Sequence, residues 1–206
     1  MESPPLPADP LLASALVGRG DSLDERERIA ELNEKRDWDG LLRYAEERQR
    51  RDPDGSDWGV VAAYAWMRRG DYPKATAALS RIVQRNPEDI GAWNLLGESQ
   101  RQAGQPGQAV RTLERASAIG RTSFATFFLL GEAYRDSNRL DRAVTAYREA
   151  ARLEPDFARA WFELGAAHVR IGERDEVPLI LGRLEKLDPM LAAELKRRLE
   201  AKPQRP

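Results

Sequence analysis

The sequence has no cysteine and a single histidine, His168. Without thiols, disulfides, iron–sulfur clusters, thiolate zinc sites, cysteine nucleophiles and lipidated cysteine anchors are excluded. One imidazole cannot build a multi-histidine metal centre, and it leaves a histidine-based triad with little support. A surplus of one charge is missing too. Lys and Arg number 33 against 34 Asp and Glu, for a net charge of −1, although charged residues make up 33% of the chain. Duplex nucleic-acid binders carry a basic excess to neutralise phosphates, so nucleic acid is not an expected partner. No apolar run approaches the ~20 residues needed to cross a bilayer, and membrane insertion is not expected. Phosphate loops, dinucleotide glycine motifs and activated-serine motifs are absent, so neither a cofactor nor catalysis is expected.

The first twenty residues, MESPPLPADPLLASALVGRG, start acidic and proline-rich, without the positive start and long apolar core of an export signal. Residues 1–21 are therefore expected to be a disordered Pro-rich leader, with a short docking helix over Leu11–Val17 as the alternative. A cytoplasmic location is expected on the same ground.

What the sequence does have is a period. Pro53, Pro87, Pro155 and Pro189 are separated by 34, 68 and 34 residues, each after an acidic or amide residue. The residue before a proline is pushed out of the helical region, so each dipeptide stops one helix and prepares the next. The missing beat falls at Arg121, where the preceding Gly120 is expected to supply a left-handed helix cap. Within this frame Trp93/Leu96/Gly97/Gln100, Phe127/Leu130/Gly131/Tyr134 and Trp161/Leu164/Gly165/His168 recur at i, i+3, i+4 and i+7. A second helix carries Ala75/Leu79, Ala109/Leu113, Ala143/Tyr147 and Val177/Leu181. Turn residues divide the two: Gly70 to Pro73, Gly104 to Gly107, Ser137 to Arg139, and Gly172-Glu173. A mid-helix glycine loses about 1 kcal/mol against alanine. Gly97, Gly131 and Gly165 in one phase therefore imply a close neighbour, expected to be the small column Ala75, Ala109 and Ala143.

These residues resemble the tetratricopeptide repeat family, whose pattern W-x2-L-G-x2-Y…A-x3-F…P is matched across residues 22–191. The Arg-over-Lys usage is in keeping with a bacterial source. The resemblance implies an all-α, right-handed superhelical solenoid of antiparallel helix pairs. Its repeats are expected at 56–89, 90–123, 124–157 and 158–191, after a degenerate capping repeat at 22–55 that starts on the capping box Ser22-Leu23-Asp24-Glu25. A C-terminal capping helix is expected at 190–201, with a frayed tail at 202–206. In the first repeat Glu25 and Arg28 stand where the family is apolar, and Arg48 where it is small, which a polar outer face explains. His168 is expected to be a satisfied core histidine, and Trp38 and Trp66 to be core.

The resemblance also implies a concave groove lined by the first helix of each pair. Its lining is expected to be Tyr64, Met67, Asn94, Glu98, Arg101, Phe128, Glu132, Arg135, Arg159 and Phe162. Glu98 and Glu132 lie one repeat apart, as do Arg101 and Arg135, giving two rows. They form either ion pairs on a solvated surface, or a grip in which the arginines fork onto peptide carboxylates between aromatic anchors. The carboxylate-binding pattern of heat-shock co-chaperones is not met, since only Asn94 and Arg159 fit and Glu98 repels an incoming carboxylate. The implied function is a non-enzymatic scaffold or adaptor for a protein or peptide. The alternatives are a secretion-type chaperone holding an apolar segment on Met67, Phe128 and Phe162, and a regulatory domain serving a separate enzyme.

Overall fold

The computed structural model describes residues 23–51 and 58–200. The leader, the Ser22 cap, Pro53 and the tail at 202–206 lie outside the described residues. Among those described there are eleven helices and no strand, in two compact units that divide after Ile119, at the missing proline beat.

The first unit holds α1 (Leu23–Glu34), α2 (Trp38–Arg51), α3 (Trp58–Arg68), α4 (Tyr72–Arg85), α5 (Ile90–Gln102) and α6 (Pro106–Ile119). Each helix packs on the next, and α3 also meets α5. Ile29, Leu41, Leu79, Leu95 and Leu113 are fully buried. Polar side chains stitch the seams: Thr76 to Ser99 at 3.0 Å between α4 and α5, and Thr112 to Gln100 at 2.7 Å between α5 and α6. The second unit holds α7 (Phe124–Asp136), α8 (Leu140–Leu153), α9 (Ala158–Ile171), α10 (Val177–Leu187) and α11 (Pro189–Glu200). Here α11 packs on both α9 and α10. Side-chain caps start several helices, since Asp89 accepts from the Ala92 N–H, Ser123 from Thr126, and Asp188 from Met190 and Leu191.

The period reappears in the backbone. Among the described residues, positive φ occurs at Arg36 (54°), Gly70 (83°), Gly104 (74°), Asn138 (57°) and Gly172 (85°). These five positions are spaced 34 residues apart, in turns that follow α1, α3, α5, α7 and α9. The left-handed residue thus closes the first helix of each pair, where glycine and asparagine are tolerated best. Gly120 does not share this conformation. Its carbonyl instead accepts the Ser123 N–H at 3.0 Å, tightening the turn that leads to the Ser123 cap. The aromatic and proline positions are also linked, because the Trp93 indole donates to the Pro87 carbonyl and the Trp161 indole to the Pro155 carbonyl, both at 2.8 Å. Where the beat lacks proline, at Arg121, the aromatic six residues later is Phe127, which has no N–H to donate.

The glycine phase has a different cause from the one the sequence suggests. A Cβ on Gly97 would lie 2.5 Å from Leu113, and one on Gly131 would lie 2.6 Å from the Tyr147 ring. At Gly165 it would meet Leu195 of α11 at 2.5 Å and Ile180 of α10 at 3.2 Å. In each case the nearest atoms belong to a large side chain of another helix rather than to Ala75, Ala109 or Ala143. The first helix pair departs as well. Glu25 is buried rather than part of a polar outer face, and it pairs with Arg48, whose guanidinium lies 5.5 Å from the Trp58 ring. The two departures from the family pattern compensate each other. His168 is core, 2% exposed, but only half satisfied. Its Nε2 lies 3.3 Å from Arg148, while Nδ1 has no hydrogen-bond partner and sits 3.8 Å from Glu173. Trp38 and Trp66 are partly buried against the first unit's core.

Candidate partner-binding surfaces

In the first unit the candidate residues come from α3 and α5. Residues 91–100 of α5 are buried on every side, so Asn94 and Glu98 present almost no surface. Tyr64 and Met67 of α3 are buried too. The Tyr64 hydroxyl donates to Asn33 at 2.7 Å, and its ring meets Trp38 edge-on at 6.3 Å. Arg101 keeps a partly exposed edge. It forks onto Glu98 with two bonds of 2.8 Å, and Gln102 donates to the same carboxylate at 2.8 Å. The first unit therefore buries most of its expected groove residues, because neighbouring helices bring side chains across them.

The second unit builds a denser charge network on α7 and α9. Arg135 donates to both oxygens of Glu132 (2.6 and 2.9 Å), to Glu163 (3.1 Å) and to Asp136. Glu163 also accepts from Arg159 at 3.0 Å, and Glu132 accepts from the buried Tyr147 hydroxyl at 2.6 Å. Burial works against the Arg135 charge, yet the oxygens of Tyr147, Glu132, Glu163 and Asp136 outweigh it and hold its pKa above the ordinary arginine value. Burial, reinforced by the Glu132 carboxylate, pushes the Tyr147 hydroxyl well above its usual range. The tyrosine ring sits over Gly131, so the glycine and the network are parts of one arrangement.

These pairs are not on a solvated surface. Side-chain exposure is 6% at Glu98, 9% at Glu132 and 6% at Glu163. Nor are the arginine forks directed outward, since they close on the chain's own glutamates. Phe162 is buried beneath Arg198 of α11, whose guanidinium lies 4.8 Å from its ring. Of the expected groove residues, Arg159 is 55% exposed, and Phe128, Arg101 and Arg135 are partly exposed. Phe128 packs edge-on with Phe157 at 5.1 Å, and Phe157 with Phe124 at 5.3 Å. Sequence reasoning missed the network roles of Glu163, Asp136 and Tyr147. The Arg159–Glu163 pair was visible as an i,i+4 spacing. The Arg135–Glu163 and Tyr147–Glu132 contacts join different helices and had no local signal.

Two family models match this chain: "Tetratricopeptide repeat" over residues 67–130 and "TPR repeat" over residues 131–172, together more than half of its length. The chain belongs to the tetratricopeptide repeat family. Members of this family are modules for binding proteins and peptides. The fold agrees with solved tetratricopeptide structures. A thermophilic tetratricopeptide protein from Thermus thermophilus, TTC0263, has a TM-score of 0.67 at 19% identity, covering 84% of this chain and 96% of that one. MamA has a TM-score of 0.63 at 23% identity, covering 82% and 95%. YrrB, described as a tetratricopeptide protein with an unusual peptide-binding site, has a TM-score of 0.63 at 18% identity, covering 82% and 88%. At these identities the likeness is one of fold. No protein of curated function matches the chain. Among the described residues, no helix is long and apolar enough to cross a membrane, and no cluster of metal-ligating side chains forms.

Proposed function

We propose that this tetratricopeptide protein is a non-enzymatic scaffold that takes a peptide or protein segment on the α7–α9 face of its second unit. The aromatic edge of Phe124, Phe128 and Phe157 receives an apolar side chain, and the charge network beside it selects for a basic one. The observation that carries this is the saturation of Arg135 by Glu132, Glu163 and Asp136. Three carboxylates against the two guanidinium groups of Arg135 and Arg159 leave one negative charge. A peptide carboxylate would have to displace bonds already made, whereas a lysine or arginine adds to the face. YrrB, with its peptide-binding site, is a precedent for this use of the fold.

The test is selection of a random peptide library on the immobilised full chain, followed by titration of the enriched peptides. Enriched sequences should pair an aromatic or aliphatic residue with Lys or Arg. Affinity should fall at least tenfold in Phe128→Asp, and should weaken between 50 and 500 mM salt (roughly, as the Debye length shortens). Enrichment of acidic peptides, or binding indifferent to Phe128→Asp, would remove this face as the site.

A further inference from the structure

In the second unit the side chain of His168 is 3% exposed, and three elements bring charge to it. From α8, Arg148 places Nη2 3.3 Å from Nε2. From the turn between α9 and α10, Glu173 lies 3.8 Å from Nδ1. Glu176, which caps α10, lies 3.6 Å from Nε2. Among the described residues, no other charged side chain forms an ion pair or hydrogen bond with the ring. Arg197 and Arg198 of α11 pair with Glu194, Arg152 of α8 with Glu149, and Arg174 of the turn donates to the Leu199 carbonyl. These contacts define one protonation state. An arginine only donates, so Nε2 accepts and the ring's single hydrogen sits on Nδ1. That hydrogen has no partner, because Glu173 stops short of bonding distance. Glu176 meanwhile is held by Arg148 through both oxygens, at 2.9 and 3.0 Å.

A buried donor left open is costly, and a second proton on the ring changes its prospects. A doubly protonated ring cannot accept from Arg148. It offers Nε2–H to Glu176 and Nδ1–H to Glu173, and both carboxylates already stand within 4 Å. Burial works against the charge, but the two carboxylates favour it. So does the position of His168 in the last turn of α9, where open carbonyls attract a cation. The partners are free to move while the ring is not: Arg148, Glu173 and Glu176 are 49%, 71% and 53% exposed. We infer that His168 is a proton-operated latch, which on gaining a proton draws in Glu173 and Glu176 and releases Arg148 to solvent. The tie from α8 to α10 made in the neutral state is replaced by one that closes the turn onto α9.

Because the chain has a single histidine, nitrogen-15 NMR of the full chain reads one pair of imidazole signals and reports the latch directly. At about pH 8, Nδ1 should be protonated and Nε2 bare; at about pH 5, both should be protonated. Amide hydrogen exchange at residues 172–177, corrected for the intrinsic effect of pH, should slow roughly threefold or more at the lower pH. Glu173→Gln/Glu176→Gln alters two exposed positions and leaves the buried ring in place. It should lose that protection and lower the ring's titration midpoint by about one pH unit or more. Arg148→Met should let the hydrogen move to Nε2 in the neutral ring. The proposal is overturned by a neutral ring protonated at Nε2 in the unmodified chain, or by a ring that keeps a single proton at the lower pH. Turn protection indifferent to pH, or a double variant that behaves like the unmodified chain, would overturn it too. Acid unfolding seen by far-UV circular dichroism over this interval would do the same, since burial would then have outweighed the carboxylates.

Discussion

Gly131→Ala places a methyl group 2.6 Å from Cδ1 and Cε1 of the Tyr147 ring and 3.0 Å from its Cγ. Alanine alone favours a helix interior by about 1 kcal/mol over glycine. The ring opposes that gain, because it must retreat to reach ordinary contact while its hydroxyl is held by Glu132 at 2.6 Å. Overpacking of a core costs about 1–3 kcal/mol. Loosening a hydrogen bond to a charged acceptor costs about 1.5–3 kcal/mol more. The expected net is a loss of about 3 kcal/mol, which for a chain of this size lowers Tm by about 6–12 °C. Gly182→Ala is the control. Beyond its chain neighbours and the local helix backbone, no atom lies within 4 Å of the Cβ it adds, and it should be neutral or stabilise by up to about 1 kcal/mol. Urea unfolding followed by far-UV circular dichroism measures both variants, with hydrogen exchange locating the loss. Repeats contact their neighbours, so weakened protection should centre on α7 and α8. If Gly131→Ala matched Gly182→Ala in stability, the argument that this glycine accommodates Tyr147 would fail.

Three further outcomes follow from particular contacts. Glu25→Leu alone should destabilise by about 2 kcal/mol, since it strands Arg48, whose partial exposure softens the penalty; with Arg48→Met added, stability in urea should return to near that of the unmodified chain. Arg36→Gly should stabilise by about 0.5–1 kcal/mol in the same assay, because Arg36 holds a left-handed φ of 54° that glycine adopts without a Cβ clash. The folded-state pKa of Tyr147 lies above its ordinary value of 10.0, so its contribution is complete below pH 10 and is lost as pH rises beyond it. Tm measured between pH 8 and 11 should therefore fall less steeply in Tyr147→Phe, after a loss of about 2 kcal/mol at pH 8.

The fold was legible because its information is local and repeated. A proline stops a helix by its own geometry, a left-handed turn selects Gly70, Gly104 or Asn138, and an i,i+3,i+4,i+7 phase puts Trp93 with Leu96 and Gly97 on one face. The site was legible only in part. Arg101 and Arg135 do pair with the glutamates three residues before them, as their spacing allows. That Asn94, Tyr64 and Phe162 are closed off follows from side chains contributed by helices elsewhere in the chain, such as Arg198 over Phe162. The same holds for Glu25, whose apparent misfit with the family pattern is answered by Arg48 on the next helix.

The residue order alone determined a 34-residue beat, helices in pairs, and the absence of thiol chemistry, since each depends on a residue's identity or its near neighbours. Tertiary structure decided what each glycine faces and which arginines are already spent on glutamates. Those depend on which atoms from distant segments arrive at one place, and packing at short range is settled by shape and burial that no periodicity encodes.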